Sequence, residues 1–578
     1  MKAAQDLSAL ITPRDGLSYV RGSTEIPLSE ATIGQFLRDT ARRVPDRPAV
    51  VFREQGIRWT WKAFDEEVDR LACGFVSIGI SRGDRVAIWS PNRVEWLLTQ
   101  FATARIGAVL VNINPAYRLA EVEYALNKVE CKALVTAERF KSSNYLAMLL
   151  EIAPELAVQD AGRLELARLP ELRRIISMGD PDLLGVLAFA DVMETGQLAL
   201  ECEAVRDLDA IGAQLSAYDP INVQFTSGTT GSPKGATLTH RNIVNNARFI
   251  AMAMNLSDAD ALCIPVPLYH CFGMVLAVLA CVSVGANMVF PGEAFDPGAM
   301  LAAVADERCT ALHGVPTMFI AALEHPQFAS FELGCLRTGI MAGSPCPIET
   351  MKQVVARMHL QEITIAYGMT ETSPISFQSA TTDPLDKRTT TVGRIQPHLE
   401  VKLVDESGNI VPIGATGELC TKGYSVMQGY WADDERTRES IVDGWMHTGD
   451  LATLEADGYC NIVGRLKDML IRGGENIYPR EIEEYLFRHP KIQNVQVFGV
   501  PDEKSGEEVC AWIVLRQGEG ATEDEIRDFC RGQIAHYKVP KYIQFVSELP
   551  MTVTGKVQKF VMREQMIRLL KLTDQKTA

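Results

Sequence analysis

Hydrophobic and polar positions along residues 30–215 alternate with the periods of helices and strands. Residues 63–78 place apolar side chains at the spacing of an amphipathic helix, and residues 95–106 do so again. Short apolar runs at 85–89 and 108–111 are typical of strands. Helices that alternate with such strands predict a layered α/β body built largely on parallel sheet.

The same alternation begins again in the middle of the chain. A strand is predicted at 221–225, a helix follows His240, and two more strands fall near 261–266 and 287–290. The apolar stretch 273–286 is interrupted by polar and small residues and is too short to cross a bilayer. It therefore predicts a buried helix, and we expect no transmembrane segment.

The last third of the chain has a different pattern. After Gly393, short β-like runs at 400–404 and 417–421 predict a sheet or barrel that closes the body. The terminal block then alternates helices and strands over a span of domain size. The elements predicted there are a helix at 481–488, strands at 495–500 and 509–515, and a helix at 523–534.

These patterns define the fold class and the domains that we expect. The class is α/β: a large N-terminal body of stacked α/β subdomains plus a β-barrel-like subdomain, with a small mobile C-terminal α+β domain. We place the domains at 1–466 and 467–578. A short hinge at Lys467 is expected, because no Pro/Gly-rich linker separates the two.

Composition restricts the partners. A chain of 578 residues is longer than one hydrophobic core usually serves. The net charge of −16 argues against nucleic acid as a partner, because phosphate backbones require a basic face. The 13 cysteines show no CxxC pair or zinc-ligand spacing, and the first residues lack the apolar core of a signal peptide. We therefore expect a cytoplasmic protein with reduced thiols. The composition is also compatible with a homo-oligomer.

The segment after the strand at 221–225 is the strongest chemical signal. It combines hydroxyl residues, glycines and a lysine: Thr226, Ser227, Gly228, Thr229, Thr230, Gly231, Ser232, Pro233, Lys234 and Gly235. Glycines let the backbone approach a ligand, and hydroxyl, N–H and ammonium groups suit a phosphate chain. The common NTPase loop requires Gly before the lysine and Ser/Thr after it, which this segment lacks. We expect a phosphate loop of another class.

A second motif, at 367–371, follows a predicted strand at 362–366. The ring of Tyr367 could stack on a base, and Thr370 could bind a phosphate oxygen. Glu371 offers an oxygen ligand for Mg²⁺, which prefers one or two carboxylates together with phosphates. Taken alone, the segment is better explained as a turn at a strand end with a chance glutamate.

Four weaker signals follow in order. Asp450, in the motif 447–450, is a candidate acceptor for ribose hydroxyls, and Arg465 is a candidate donor to ribose or phosphate oxygens. Gly473 and Gly474 allow a ligand to pass close to the backbone. Lys556, in a small glycine-bearing loop, could reach a site on another domain. Their ordinary alternatives are an Asx turn, a surface arginine, a tight turn and a solvated lysine.

In this order and spacing, the motifs together resemble the adenylate-forming superfamily of acyl-CoA synthetases, luciferases and peptide-synthetase adenylation domains. The resemblance covers residues 30–570. Within the superfamily the chain most resembles the medium-chain acyl-CoA synthetase family member 2 type. The segments that carry this likeness are 18–20, 219–225, 267–271 and 471–479.

The resemblance implies an AMP-forming acid–thiol ligase that uses ATP, Mg²⁺ and coenzyme A. In its first step a fatty acid carboxylate attacks the α-phosphate of ATP, which gives acyl-AMP and pyrophosphate. The roles implied in that step are residues 226–234 for the β- and γ-phosphates; Gly343, Ser344, Pro345 and Tyr367 for adenine; Asp450 and Arg465 for ribose; Thr370 and Glu371 for phosphate and metal; and Lys556 for the carboxylate and α-phosphate.

The second step, also implied by the resemblance, transfers the acyl group to coenzyme A. The small domain swings about Lys467, a position at which many relatives have Asp. Gly473 and Gly474 then line the pantetheine tunnel. His270 resembles a gating residue between the ATP and acyl sites, although an interior hydrogen-bonded histidine explains it equally well.

The acyl pocket leaves alternatives open. Its expected lining, Tyr269 with 272–276, 314–319 and 339–343, is apolar and favours an aliphatic tail over an amino acid. The rivals are a ligase for an aryl or branched acid, an acyl-AMP ligase that loads a carrier protein, a non-catalytic nucleotide-binding protein and a light-emitting oxygenase. The retained motif residues argue against the non-catalytic protein, the glycine pair favours coenzyme A over a carrier, and the oxygenase has no specific support.

Overall fold

The computed structural model describes residues 12–201, 208–226, 233–472, 475–502, 505–552, 555–570 and 572. Over these residues the chain forms a large body with three main sheets and a small C-terminal domain with one more. None of the helices in these ranges is both long and apolar enough to cross a membrane. The α/β class and the small C-terminal domain agree with the sequence analysis, whereas the boundary at 466 and the hinge at Lys467 stay predictions.

The first sheet of the body is parallel at its centre and antiparallel at one edge. Alternate residues of its strands point to opposite faces, so Val86 and Ile88 join one buried cluster while Ala87 and Trp89 join another. Helices therefore pack on both faces. In spatial order the described strands are Leu187–Ala188, Arg174–Ser177, Ala133–Thr136, Arg85–Trp89, Val109–Asn112, Pro220–Thr226, Lys234–Thr239 and Gly429–Tyr430.

The second sheet is also parallel at its centre. Its residues Val50 and Phe52 belong to the same cluster as Val86, so one layer of helices is packed between the two sheets. Val51 points to the opposite face. In spatial order the described strands are Arg394–Ile395, Ile375–Gln378, Glu362–Gly368, Thr338–Met341, Ala311–Gly314, Ala261–Cys263, Asn287–Phe290, Pro48–Phe52 and Ile57–Thr60.

The helices of the body fall into inner and outer layers. The inner helices bury residues in the cluster shared by both sheets: Ile33–Arg43, Trp61–Ser77, Val94–Ile106, Phe189–Glu201, Leu208–Ala213, His240–Ala253, the π-helix Phe272–Leu279 and Ala280–Val284. The outer helices cover the other faces: Leu119–Lys128, Tyr145–Ile152, Pro297–Asp306, Pro316–Leu323 and Ile348–Arg357. Two further short helices are Leu385–Thr390 and Asp434–Ser440.

The third sheet is antiparallel and follows the change of pattern at Gly393. Its long strand Trp445–Leu454 pairs with three neighbours. Its described strands are Tyr19–Arg21, Leu399–Val404, Gly417–Gly423, Trp445–Leu454, Ile441–Val442 and Cys460–Arg465. The 3₁₀ turns of the body are Pro154–Ala157, Phe328–Ser330, Thr370–Thr372 and Leu466–Asp468, and a separate hairpin joins Arg139–Phe140 to Ser143–Asn144.

The small domain has its own buried clusters on the two faces of its sheet. The strands described there are Leu470–Arg472, Glu475–Ile477, Ile492–Asp502, Gly506–Leu515 and Tyr542–Phe545. The helices that cover them are Pro479–Leu486, Glu523–Cys530 and Lys559–Leu570, with a 3₁₀ turn at His536–Lys538. The domain thus buries a core without help from the body.

The elements that local periodicity predicted are present, although several of their ends differ. The strands at 85–89 and 287–290 have the bounds expected, and the helix at 95–106 starts one residue earlier. The helix expected over 523–534 stops at Cys530, because Arg531 is extended and Gly532 has a positive φ of 72°. The apolar stretch 273–286 is helical and buried, with a π-helix as its first part.

Two inner helices pack very closely, which gives a first prediction. The helices Trp61–Ser77 and Phe189–Glu201 meet where Gly196 faces the helical turn between Arg70 and Gly74. A Cβ at Gly196 would lie 1.9 Å from the carbonyl oxygen of Arg70. We expect Gly196→Ala to destabilise the body by about 1–3 kcal/mol through overpacking, measured as a lower midpoint of thermal unfolding.

Gly212→Ala is the matched control, because no described atom lies within 4 Å of a Cβ built there. This variant should unfold at or slightly above the wild-type temperature, since alanine restricts the unfolded chain. Equal midpoints for the two variants would contradict the close helix contact.

Candidate active site

The motif residues come together where strand ends from all three body sheets meet the small domain. Thr226 ends a strand of the first sheet, and its hydroxyl lies 3.4 Å from Oε1 of Glu371, which follows a strand of the second sheet. Tyr367 of the second sheet donates its hydroxyl hydrogen to Asp450 of the third sheet at 2.7 Å. Residues far apart in sequence therefore share one cleft.

The phosphate motif is described at its two ends. Thr226 and Lys234 are register partners in the antiparallel ladder, so the segment between them connects paired strands. The hydroxyl of Tyr124 donates to the carbonyl oxygen of Pro233 at 3.3 Å. The remaining motif residues lie outside the described residues: Ser227, Gly228, Thr229, Thr230, Gly231 and Ser232.

Glu371 is buried and is held by a tyrosine that the sequence analysis did not identify. The hydroxyl of Tyr430 donates to Glu371 Oε1 at 2.9 Å, and the Lys234 ammonium lies 5.0 Å from the centroid of the same ring. Burial and the neighbouring carboxylate raise the pKa of Tyr430, so it remains a donor. In the sequence, Tyr430 follows Gly429 on a strand of only two residues, so little in the local pattern marked it as a site residue.

The carboxylate of Glu371 fits a hard cation. The contacts that the described residues make to it, from Tyr430 and Thr226, both end on Oε1. Oε2 can therefore bind a cation without loss of either bond. Mg²⁺ prefers one or two carboxylates and completes its shell with phosphate and water oxygens. Thr370 is buried next to Glu371 in the same 3₁₀ turn, and its proposed contact with phosphate stays a prediction.

Asp450 is buried and joins two other predicted residues. Oδ2 accepts the hydrogen bond from Tyr367, and Oδ1 accepts one from Nε of Arg465 at 3.1 Å. Asp450 and Arg465 are partners across neighbouring strands of the third sheet. Burial and the Asp450 charge raise the pKa of Tyr367 well above its usual value, so the phenol stays protonated. The site thus has a fixed carboxylate flanked by a ring and a guanidinium.

Glu418, another residue that the sequence analysis missed, holds the turn before Asp450. Its Oε1 accepts from the Gly449 backbone N–H at 3.1 Å, and its Oε2 lies 2.9 Å from Nδ1 of His447. Cys420 Sγ is 3.5 Å from the same nitrogen, and these three side chains could hold a metal. However, both carboxylate oxygens of Glu418 already bind the turn at 447–449. We therefore interpret these three side chains as a cluster that holds the turn before Asp450 in place.

Lys556 reaches the cleft from the small domain. Its loop is closed by the Gly555 N–H, which donates to the Thr552 carbonyl at 2.9 Å, and Gly555 has a positive φ of 76°. A Cβ at Gly555 would lie 2.9 Å from Val315 and 3.0 Å from Thr317, both in the body. The loop therefore packs directly on the body, and only glycine fits at this contact.

Positive charge is concentrated around Lys556. Burial, Arg465 and Lys467 lower the pKa of Lys556 to about 8, and Asp450 opposes this change. Lys556 is nevertheless an exposed residue. This is compatible with the lowered pKa, because many protein atoms surround the Lys556 amine while the residue as a whole keeps contact with solvent. Burial and Arg465 also lower the pKa of Lys467. Cations that crowd each other in this way favour an anionic ligand.

His270 borders the cleft as a neutral imidazole. Burial and the nearby Lys556 charge lower its pKa to about 4. Its Nδ1 accepts the N–H of Phe272 at 3.2 Å, which leaves Nε2 as the protonated nitrogen. Cys271 next to it is not a nucleophile, because burial raises the pKa of its thiol to about 12 and the thiol donates to Gln224 at 3.0 Å.

The segment predicted to flank adenine also lies on the body surface of the cleft. Gly343 has a positive φ of 89°, and a Cβ there would lie 3.1 Å from Val315. Gly343 and Pro345 are exposed, and the carbonyl of Ser344 accepts from the Cys346 thiol at 3.5 Å. Gly473 and Gly474 lie outside the described residues.

Two sequence models of protein families match long parts of the chain. The sequence model described as AMP-binding enzyme matches residues 37–431, and the one described as AMP-binding enzyme C-terminal domain matches residues 481–556. The first match alone spans more than half of the chain and ends beside Tyr430.

Three individual proteins illustrate the similarity. The medium-chain acyl-CoA ligase ACSF2 (mitochondrial) of Danio rerio is 48% identical over 95% of this chain and 90% of that protein. The Homo sapiens protein of the same name is 44% identical over 97% and 92%. The crystal structure of the anthranilate CoA ligase AuaEII with anthranoyl-AMP superposes with a TM-score of 0.84, at 26% identity over 95% and 99%.

The electrostatics of the cleft predict the titration of Lys556. We expect labelling of this amine by a small acylating reagent, followed by mass spectrometry across pH, to be half-maximal near pH 8. Lys467→Ala removes a positive neighbour and should raise that midpoint. Asp450→Asn removes the opposing negative charge and should lower it. If the two variants moved the midpoint in the same direction, the proposed charge arrangement would be wrong.

Proposed function

Because the chain belongs to the AMP-binding enzyme family, we propose that it is an ATP-dependent ligase that joins a medium-chain fatty acid to coenzyme A. Acyl-AMP is the intermediate, and pyrophosphate and AMP are the products released. The observation that carries the proposal is the delivery of Lys556 by the small domain into a cleft that already contains Asp450 and Arg465.

The chemical difficulty of the first step is charge. A carboxylate must approach the α-phosphate of ATP, and both groups are anionic. The cleft offers Lys234, Arg465, Lys467 and Lys556 to reduce this repulsion. Cations fixed in advance stabilise the charge that develops in the transition state without having to reorganise. Mg²⁺, if held by Glu371, would supply further neutralisation of the triphosphate.

Each residue then has a defined task. Asp450, oriented by Tyr367 and the turn at Gly449, accepts hydrogen bonds from the ribose. Thr226 and Lys234 bind the terminal phosphates. Lys556 bridges the attacking carboxylate and the α-phosphate, where a protonated amine donates to both oxygens at once. Tyr367 and the segment at 343–345 flank the base.

The thioester step relies on residues that the sequence identifies. The coenzyme A thiol attacks the acyl-AMP carbonyl, a carbon–sulfur bond forms, and AMP leaves with the carbon–oxygen bond electrons. We assign the pantetheine path to Gly473 and Gly474 and the gate between the sites to His270. The neutral imidazole of His270 suits this task, because it adds no charge to the path of an acyl chain.

The pocket side of the cleft supports an aliphatic acid. Phe272 and Phe319, both in the expected lining, are buried in two different core clusters, and the His313 ring centroid lies 5.6 Å from that of Phe272. Burial lowers the pKa of His313 to about 4, its Nδ1 accepts from Ile340 N–H, and Nε2 contacts the Leu276 carbonyl. It therefore gives no charged partner for an amino acid substrate.

A cytoplasmic location with reduced thiols belongs to the same proposal. All cysteines of the described residues are free, and nearly all of them are buried. Buried thiols with no disulfide are typical of proteins in a reducing compartment.

The assigned task of Lys556 gives a direct test. Lys556→Ala should lower the rate of acyl-AMP formation by about 10²–10³-fold, because it removes one fixed cation from the transition state. Binding of ATP, measured by calorimetry, should remain close to wild type. Lys352→Ala, which removes an exposed lysine paired with Glu349 at 2.8 Å, is the control and should be fully active. Unchanged adenylation in Lys556→Ala would exclude this lysine from the mechanism.

The substrate class is tested by pyrophosphate release across acids. With acetate, octanoate, palmitate and benzoate, each with and without coenzyme A, we expect the highest kcat/KM on octanoate. Each methylene buried up to that length should contribute about 0.8 kcal/mol, or roughly fourfold. Sustained turnover should require coenzyme A.

Two results of that screen would change the assignment. Highest activity on benzoate would favour the aryl acid alternative. The structural similarity to an anthranilate CoA ligase is one reason to test that alternative. Acyl-AMP formation with no thioester after addition of coenzyme A would favour a ligase that loads a carrier protein.

A further inference from the structure

The small domain touches both ends of one body helix, Pro316–Leu323. At the N-terminal end, Gly555 packs on Val315 and Thr317. At the C-terminal end, Nη1 of Arg516 donates to Glu324 Oε1 at 2.8 Å, and the Gln493 amide donates to Glu324 Oε2. The helix therefore contacts the lysine loop at one end. At its other end it carries a polar contact with the small domain that lies outside the cleft.

We propose that Glu324 is a positioning residue for the ligase reaction. By binding Arg516 and Gln493 it fixes the small domain along the helix, so that Gly555 remains seated and Lys556 stays in the cleft. The inference rests on the proposed function for the step that it affects. It assigns to Glu324 a role that none of the sequence motifs indicated.

The distance between the two contacts explains why Glu324 is needed. A helix of eight residues is about 12 Å long. A single contact at Gly555 would act as a pivot, about which the domain could turn and withdraw the lysine. A second contact at the far end of a rigid helix prevents that rotation.

Two further hydrogen bonds are described between the domain and the body. Arg480 Nη1 donates to the Ile462 carbonyl at 2.6 Å, and the Ile348 N–H donates to Glu484 at 3.5 Å. Ile462 lies only five residues before the proposed hinge at Lys467, so its bond has little leverage on the orientation of the domain. The pair at Glu324 is therefore the polar contact best placed to fix the lysine loop.

The pair is partly exposed, which sets the size of the effect. Side-chain exposures are 39% for Arg516 and 29% for Glu324. For ion pairs of this kind, removal of the charge changes an equilibrium by about two- to fivefold. Charge reversal should have a larger effect, about tenfold, because two like charges then face each other across the contact.

The test is a charge swap read out on acyl-AMP formation without coenzyme A. Glu324→Arg and Arg516→Glu should each lower the rate about tenfold, and the double variant should recover to within about threefold of wild type. Arg568→Glu is the control, because Arg568 pairs with Glu564 at 3.8 Å inside the small domain. It should leave the rate unchanged. Failure of the double variant to recover would overturn the proposal.

A second comparison separates positioning from a general structural effect. In a Lys556→Ala background, Glu324→Arg should cause no further loss of rate, because its effect acts through the missing amine. A full tenfold loss in that background would show that Glu324 acts by another route and would overturn the proposal.

A third readout does not depend on activity. In Glu324→Arg, the half-maximal pH for labelling of the Lys556 amine should move from about 8 towards that of an ordinary lysine, since the amine leaves the cleft. If the wild type formed no acyl-AMP but this shift occurred, the ligase function would be wrong and the positioning role would stand. An unchanged midpoint would contradict the positioning role.

Discussion

The attraction of several cations to one buried carboxylate is the interaction on which the site depends. Asp450 binds Arg465 directly and opposes the loss of charge from Lys556, which arrives from another domain. Without that carboxylate, Arg465, Lys467 and Lys556 would only repel one another. The arrangement is electrostatically incomplete until an anion enters. A bound polyphosphate would therefore help to hold the small domain against the body.

Support for Asp450 extends outward through the third sheet. Glu418 binds the backbone of Gly449 and the ring of His447, while Tyr367 binds the carboxylate itself. The same logic holds at Glu371, which is fixed by Tyr430. In both places neighbouring side chains fix a buried carboxyl group: Tyr367 and Arg465 at Asp450, and Tyr430 and Thr226 at Glu371.

The sequence was sufficient for elements with a local signal and insufficient for contacts made across strands. The run 85–89 predicted its strand, since that signal depends only on neighbours in the chain, whereas the phosphate role of the glycine-rich segment stays a prediction. Tyr430 could not be found in this way, because it reaches Glu371 only after Gly429–Tyr430 pairs with Lys234–Thr239. The strand Tyr542–Phe545 was missed for the same reason: it is defined by its parallel partner Gly506–Leu515.

Val315 contacts two glycine-bearing segments of the cleft, one with each of its methyl groups. One methyl lies 3.1 Å from where a side chain at Gly343 would begin, and the other 2.9 Å from the corresponding point at Gly555. This valine is thus a common spacer for the segment at 343–345 and for the lysine loop. Trimming Val315 to alanine would leave both glycine contacts slack, so the positions of these two segments cannot be adjusted independently at this residue.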